Sequence, residues 1–199
     1  MRSSQGQKTL FPNNSANNVE FQNPTELILG KEVLLNWQKN IHSHQSKYFS
    51  GSPNNHKQGN LFIANEEVSL DDFSPLKLTP LPLSFWRWPK SSHHGPAIYL
   101  VMDKLEECNS HILLYIGETI SADRRWKGEH DCKTYLAAYS EALSNADIKS
   151  QLSIRFWSDV PINTRARRKL ELELISKWLP PFNKETRARW STPFTAKIN

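Results

Sequence analysis

Two glutamates, Glu171 and Glu173, stand two positions apart in the segment Leu170-Glu171-Leu172-Glu173-Leu174-Ile175. If this segment is helical, each residue turns by about 100°. Counted from Leu170, the residues Leu174, Trp178, Ile175, Leu179 and Leu172 fall at about 40°, 80°, 140°, 180° and 200°. Glu171 falls at about 100°, inside that apolar arc, whereas Glu173 falls at about 300° among Lys169, Ser176 and Lys177. A carboxylate on a buried face is costly unless it is paired or holds a metal ion. Two readings of Glu171 therefore stand level: an internal ion pair, for instance with Arg125, or a metal ligand in a cleft.

Other groups could do chemistry as well. Tyr99 and Tyr115 each sit in a short apolar run, and a buried tyrosine needs a partner for its hydroxyl. Eight of the ten arginines lie in residues 95–199, with Arg165, Arg167 and Arg168 in one short run. The planar guanidinium suits phosphate oxygens, although such a run also reads as a solvated helix face. Phe85-Trp86-Arg87-Trp88-Pro89-Lys90 interleaves rings and cations. That pattern can stack bases and pair phosphates, or the tryptophans can simply anchor an extended segment. Cys108, His111, His130 and Cys132 offer zinc-ligand chemistry, but neither Cys–His pair has finger spacing.

These side chains need elements to hold them. Ala97-Ile98-Tyr99-Leu100-Val101-Met102 and Ile112-Leu113-Leu114-Tyr115-Ile116 read as the two strands of a hairpin with a long loop, Asp103–His111. Ser121 is placed to cap a short helix from Ala122 to about Gly128. Tyr135, Leu136, Tyr139, Ala142 and Leu143 mark an amphipathic helix, and Leu152, Ile154 and Phe156 alternate as a third strand. Asn163 or Thr164 caps a last helix, ended by Pro180-Pro181. The fold class is α+β: a small three-stranded antiparallel sheet flanked by helices in the order β-β-α-α-β-α.

Upstream, residues 1–24 are rich in Asn, Gln and Ser and read as a disordered tail. Residues 25–94 form an N-terminal extension: a helix through Val33, Leu34, Trp37 and Ile41 to about Ser46, a break at Ser50–Asn55, and an extended strap over 61–90. Prolines at 75, 80, 82 and 89 keep that strap out of a helix or a central strand. The third unit is 95–199.

The formal net charge of +5 favours an acidic partner. No apolar run approaches membrane-spanning length, and the opening residues lack the apolar core of a secretory signal. Two cysteines make no disulfide framework, so a reducing, cytoplasmic setting is expected.

In this order, the residues of 95–183 resemble the GIY-YIG nuclease superfamily. Ala97-Ile98-Tyr99 is similar to its first signature and Tyr115-Ile116-Gly117 matches the second. Arg125 stands ten positions after the signature tyrosine, where the family carries its essential arginine. Glu171, Ile175, Pro180 and Asn183 fill the family's pattern of glutamate, apolar residue, proline and closing asparagine. There are departures. Ala97 replaces a glycine, the two tyrosines are spaced more widely, and Glu118 stands where some members have lysine. Glu129 holds the place of a helper His or Tyr, with His130 next to it as the supporting candidate.

The resemblance implies hydrolysis of a phosphodiester in DNA with one Mg²⁺ or Mn²⁺. Glu171 would hold the cation and Arg125 would grip the same phosphate. Tyr99 would orient and deprotonate the attacking water, with Tyr115 beside it and its pKa lowered by the cation or Arg125. Asn183 would fix the turn under Glu171, and Arg125, Lys127, Arg165 and Arg168 would contact nucleic acid. The competing expectation is a catalytically idle nucleic-acid-binding module on the same fold.

Overall fold

A computed structural model describes residues 29–49, 73–88, 93–107, 109–127 and 131–194. The expected tail, the break at Ser50–Asn55, most of the upstream half of the strap, Pro89, Lys90, Cys108 and His130 lie outside these residues. The described chain is α+β, with four α-helices and a four-stranded antiparallel sheet of order β1-β4-β2-β3.

Strand β2 (Ala97–Leu105) runs through the middle of the sheet, and all its residues but Lys104 are buried. Its apolar, branched sequence suits burial on both faces. It pairs with β3 (Ser110–Thr119) on one side and β4 (Ser150–Trp157) on the other. Three strands were expected. The fourth, β1 (Leu81–Pro82), pairs with Ile154 and Ser153 of β4. Its proline lacks a donor, and an edge position tolerates that. The 73–88 segment is pinned further by Arg155, whose Nη1 donates to Pro75 O at 3.0 Å and Leu78 O at 3.1 Å. Alternation in β4 suggests a solvent-facing Arg155, yet the strap covers it.

The long hairpin loop is also corrected. Asp103, Lys104 and Leu105 continue the ladder opposite Ile112, His111 and Ser110, so the extra residues lengthen the strands. Asp103 can lie within the ladder because its carboxylate is satisfied. It accepts hydrogen bonds from Tyr139 Oη (2.7 Å), Ser150 Oγ (2.9 Å) and the Gln151 amide (2.8 Å).

One sheet face packs on α2 (Ala122–Arg125) and α3 (Asp131–Asn145) through Trp126, Tyr135, Leu136, Tyr139 and Leu143. The other packs on α4 (Thr164–Trp178) through Leu170, Leu174, Ile175 and Trp178. Helix α1 (Lys31–Phe49) reaches both cores, with Leu34, Trp37 and Ile41 in the first and Tyr48 and Phe49 against the second. Val33, expected on its apolar stripe, is exposed.

An unpaired outer edge of β3 would leave a row of backbone groups unsatisfied. Here other segments meet them. Gln45 of α1 bonds both the N–H and the C=O of Leu113, and the Phe182 amide donates to Leu114 O. Asn183 bonds both backbone groups of Ile116, and the Glu118 N–H donates to Glu171. Two of these covering residues, Asn183 and Glu171, are the ones singled out by sequence.

Candidate active site

The site begins with a β-bulge. In the β2–β3 ladder Val101 faces Tyr115 but Met102 faces Leu113, so Leu114 is the extra residue. An inserted residue shifts the alternation of side chains by one. Leu114 and Tyr115 consequently both pack on the α3 face, and Tyr115 joins Tyr99 there. The two rings stack with centroids 5.9 Å apart and planes 26° from parallel. Without the bulge Tyr115 would point to the α4 face.

Gly117 sits opposite Tyr99 in the ladder. A β-carbon on it would overlap Cζ and the hydroxyl of Tyr99 and would stand 2.9 Å from Tyr115 Cε1. Gly117 thus provides the floor on which Tyr99 lies. Trp126 meets Tyr99 edge-on at 5.9 Å.

The short helix α2 ends at Arg125 rather than near Gly128. Ser121 holds its N-cap position, but the hydroxyl donates to Asp123 Oδ1 instead of accepting from the helix. Arg125 Nε donates to Tyr99 Oη at 3.1 Å, and its Nη atoms make no hydrogen bond among the described residues. Tyr99 is completely buried. Burial raises its pKa above the ordinary phenol value, with Arg125 acting in the opposite direction. Burial pushes Tyr115 up too, reinforced by the neighbouring Tyr99. The lowering expected of Arg125 is present for Tyr99, but desolvation outweighs it.

Glu171 approaches from the other face. Its Oε1 accepts from the Glu118 N–H at 3.0 Å, and its Oε2 takes no hydrogen bond from a described residue. No ion pair reaches it among the described residues, so the pairing with Arg125 that its sequence position allows is not formed. Desolvation, with the nearby Glu118 and Glu185 carboxylates, raises its pKa from 4.5 to about 6, against the Glu118 N–H hydrogen bond and Arg168. Glu173 faces outward, 3.7 Å from Lys169. Leu172, counted in the apolar arc, is instead exposed.

A cavity of about 280 Å³ brings Glu171 and Tyr115 together with Tyr135, Asn183, Lys184 and Arg187. The site therefore runs in a connected line. Arg125 bonds Tyr99, Tyr99 stacks on Tyr115, and Tyr115 shares a cavity with Glu171. Asn183, almost fully buried, holds Ile116 through bonds of 3.0 and 2.8 Å and so ties the end of α4 to β3.

Compared with known proteins, the chain matches no family model, no curated protein and no solved structure. The site must be read from its own geometry.

The remaining sequence candidates divide. Lys127 and Arg165 are exposed. Arg168 is engaged, its Nε donating to Glu118 Oε1 at 3.2 Å. Among the described residues no cluster of three or more His, Cys, Asp or Glu can hold a metal ion, and Cys132 is buried in the core. Trp86 is half-buried with Lys133 and Arg87 over its ring, while Trp88 is exposed. No helix among the described residues is long and apolar enough to cross a membrane.

Sequence reading missed a buried ion pair between α4 and β3. Arg167 has no exposed surface, and its Nε donates to Glu118 Oε2 at 2.9 Å. Its Nη1 donates to Pro161 O and Ile162 O at 3.0 and 2.9 Å. Counted from Leu170, Arg167 falls at about 60°, inside the same apolar arc that marks out Glu171. The signal was there, but the basic run around it suggested a solvated face.

Proposed function

We propose that this chain is a divalent-metal-dependent DNA endonuclease that hydrolyses phosphodiester bonds through a GIY-YIG-type site. The observation that carries the reading is Glu171, a partly buried carboxylate with no ion pair among the described residues. It shares a cavity with Tyr115, which stacks on the tyrosine bonded to Arg125. The element order from Ala97 onward also supports the reading, since it runs β-β-α-α-β-α as that family's domain does.

The residues fit a hard cation such as Mg²⁺ or Mn²⁺. Such an ion keeps several waters and takes one or two carboxylates plus substrate phosphate oxygens, so a single protein carboxylate suffices. Glu171 would hold it through Oε2, the oxygen the Glu118 N–H leaves unused. A cation held there would supply positive charge to offset that building on the phosphate and the leaving oxygen.

The chain's own groups supply the rest. Arg125 directs its Nη groups at the phosphate while Nε stays on Tyr99, so one guanidinium both binds and is aimed. Tyr115, lining the cavity, positions water with a neutral hydroxyl, because burial keeps both phenols protonated. Gly117 and Asn183 hold these groups in register.

The second reading, a catalytically idle nucleic-acid-binding module, is favoured by the burial of Tyr99 beneath Arg125. The deciding experiment incubates the chain with duplex, nicked and branched DNA in Mg²⁺, in Mn²⁺ and in EDTA, beside Glu171→Gln. Metal-dependent cutting that Glu171→Gln abolishes supports the endonuclease. Binding without cutting in any condition gives the idle module, and undiminished cutting by Glu171→Gln removes Glu171 from the mechanism.

A further inference from the structure

We infer that the cavity beside Glu171 is a subsite for the nucleotide next to the scissile phosphate, with Lys184 and Arg187 as its phosphate contacts. The inference rests on the endonuclease reading and adds the path of the strand. One run of backbone would cross Glu171 from Arg125 on one side to Lys184 and Arg187 on the other.

The placement follows from how the chain turns after α4. Beyond Asn183 it enters a 3₁₀ turn, Arg187–Trp190. That turn is fixed to the helix end: the Arg187 N–H donates to Asn183 O at 3.0 Å and Trp190 Nε1 to Leu179 O at 2.6 Å. Thr192 Oγ1 donates to Pro181 O at 3.0 Å. The same anchoring that holds Asn183 against β3 therefore sets the position of Lys184 and Arg187 relative to Glu171.

Arg187 lies with its guanidinium 4.8 Å from the centroid of the Tyr135 ring, a contact that orients the planar fork without using its N–H donors. Neither Lys184 nor Arg187 has a carboxylate partner among the described residues. Both line the cavity that holds Glu171. Glu185 lines it too, so two acids face two bases. Neutralising Glu171 leaves the wall net positive. An anion is then the favoured occupant, and the exposed Leu172 at the rim offers an apolar contact to a sugar or base.

The test measures binding in the Glu171→Gln protein, where cleavage does not interfere. A fluorescent mixed-sequence duplex is titrated from 50 to 200 mM salt against that protein and against the same protein carrying Lys184→Gln or Arg187→Gln. Lys39→Gln, on α1 and outside this cavity, is the control. Each lost phosphate contact should reduce the log–log salt slope by about 0.9, making the loss of affinity over that range three- to four-fold smaller. Lys184 is exposed, so its variant keeps the test open if Arg187→Gln melts early. Replacing one linkage beside the cut with a neutral methylphosphonate should abolish the difference between the variants and their background. Unchanged slopes in both variants, with a parent that binds and cuts, overturn the subsite while the endonuclease stands. A parent that binds no duplex overturns both.

Discussion

Replacing Glu171 by glutamine should make the protein more stable while destroying its activity. The gap between about 6 and the ordinary 4.5 corresponds to about 2 kcal/mol of disfavoured ionisation in the folded state. The side chain is partly open to water, and screening reduces this to about 1 kcal/mol. Because the folded pKa is raised, stability is highest with the acid protonated and is lost as pH climbs from 4.5 through 6. Glutamine does not titrate, and its amide oxygen still accepts from the Glu118 N–H. The variant and the parent should therefore melt together near pH 4. By pH 7.5 the variant should lead by about 1 kcal/mol, or about 2–4 °C for a chain of this size. Glu171→Ala lacks the acceptor and strands the Glu118 N–H, which costs about 1–3 kcal/mol and cancels the gain. Glu173→Ala loses only an exposed pair one helical turn apart and should stay within about 0.5 kcal/mol, with cleavage intact. Thermal melting at the two pH values, beside a cleavage assay, reads all four proteins. A Glu171→Gln protein less stable than the parent at pH 7.5, or a lead that ignores pH, would refute the argument that this carboxylate is held at a disadvantage.

The same geometry sets other outcomes. Gly117→Ala puts a β-carbon into the Tyr99 ring and should cost about 1–3 kcal/mol and most of the cleavage. Gly30→Ala, with no atom within 4 Å, is its control, and equal melting of the two would show that the ring is not seated on Gly117. Glu118→Ala leaves Arg167 charged, buried and without its carboxylate, an expected loss of about 3–5 kcal/mol in urea denaturation. A loss under 1 kcal/mol would mean that the pair does not hold α4. Trp86→Ala should lower the melting temperature, whereas exposed Trp88→Ala should change stability by no more than about 0.5 kcal/mol. If Trp88 stacks on bases, its removal weakens DNA binding about tenfold or more; unchanged affinity assigns it no such contact.

The elements that could be read from sequence are those in which one local pattern decides. Apolar runs rich in branched and aromatic residues located the strands around Tyr99 and Tyr115, alternation located the one around Ile154, and a 3.6-residue period located α1, α3 and α4. The fourth strand could not be read this way. Leu81–Pro82 is a strand only because β4 offers a free edge and Arg155 holds the strap beside it. The hairpin loop failed for a similar reason. Asp103 looks like a loop residue until Tyr139, Ser150 and Gln151 gather round its carboxylate, and those partners lie 36 to 48 positions away.

The site divides along the same line. Glu171 was legible because a helix with one apolar face makes a misplaced charge visible, and the structure gives that charge a use that sequence does not suggest. It accepts from the part-buried Glu118 N–H on the outer edge of β3. That bond uses only the backbone of Glu118. Its backbone fixes one oxygen of Glu171, while its side chain turns away to Arg167 and Arg168. The Glu118 carboxylate is thus held by two arginines, while its charge still helps to raise the Glu171 pKa. Tyr115 was legible as a residue but not as a direction, because its face depends on the single inserted Leu114. A bulge leaves no mark in a run as uniform as Ile112-Leu113-Leu114-Tyr115-Ile116. It is visible only against the partner strand, where Tyr99 needs a glycine opposite it and a ring beside it.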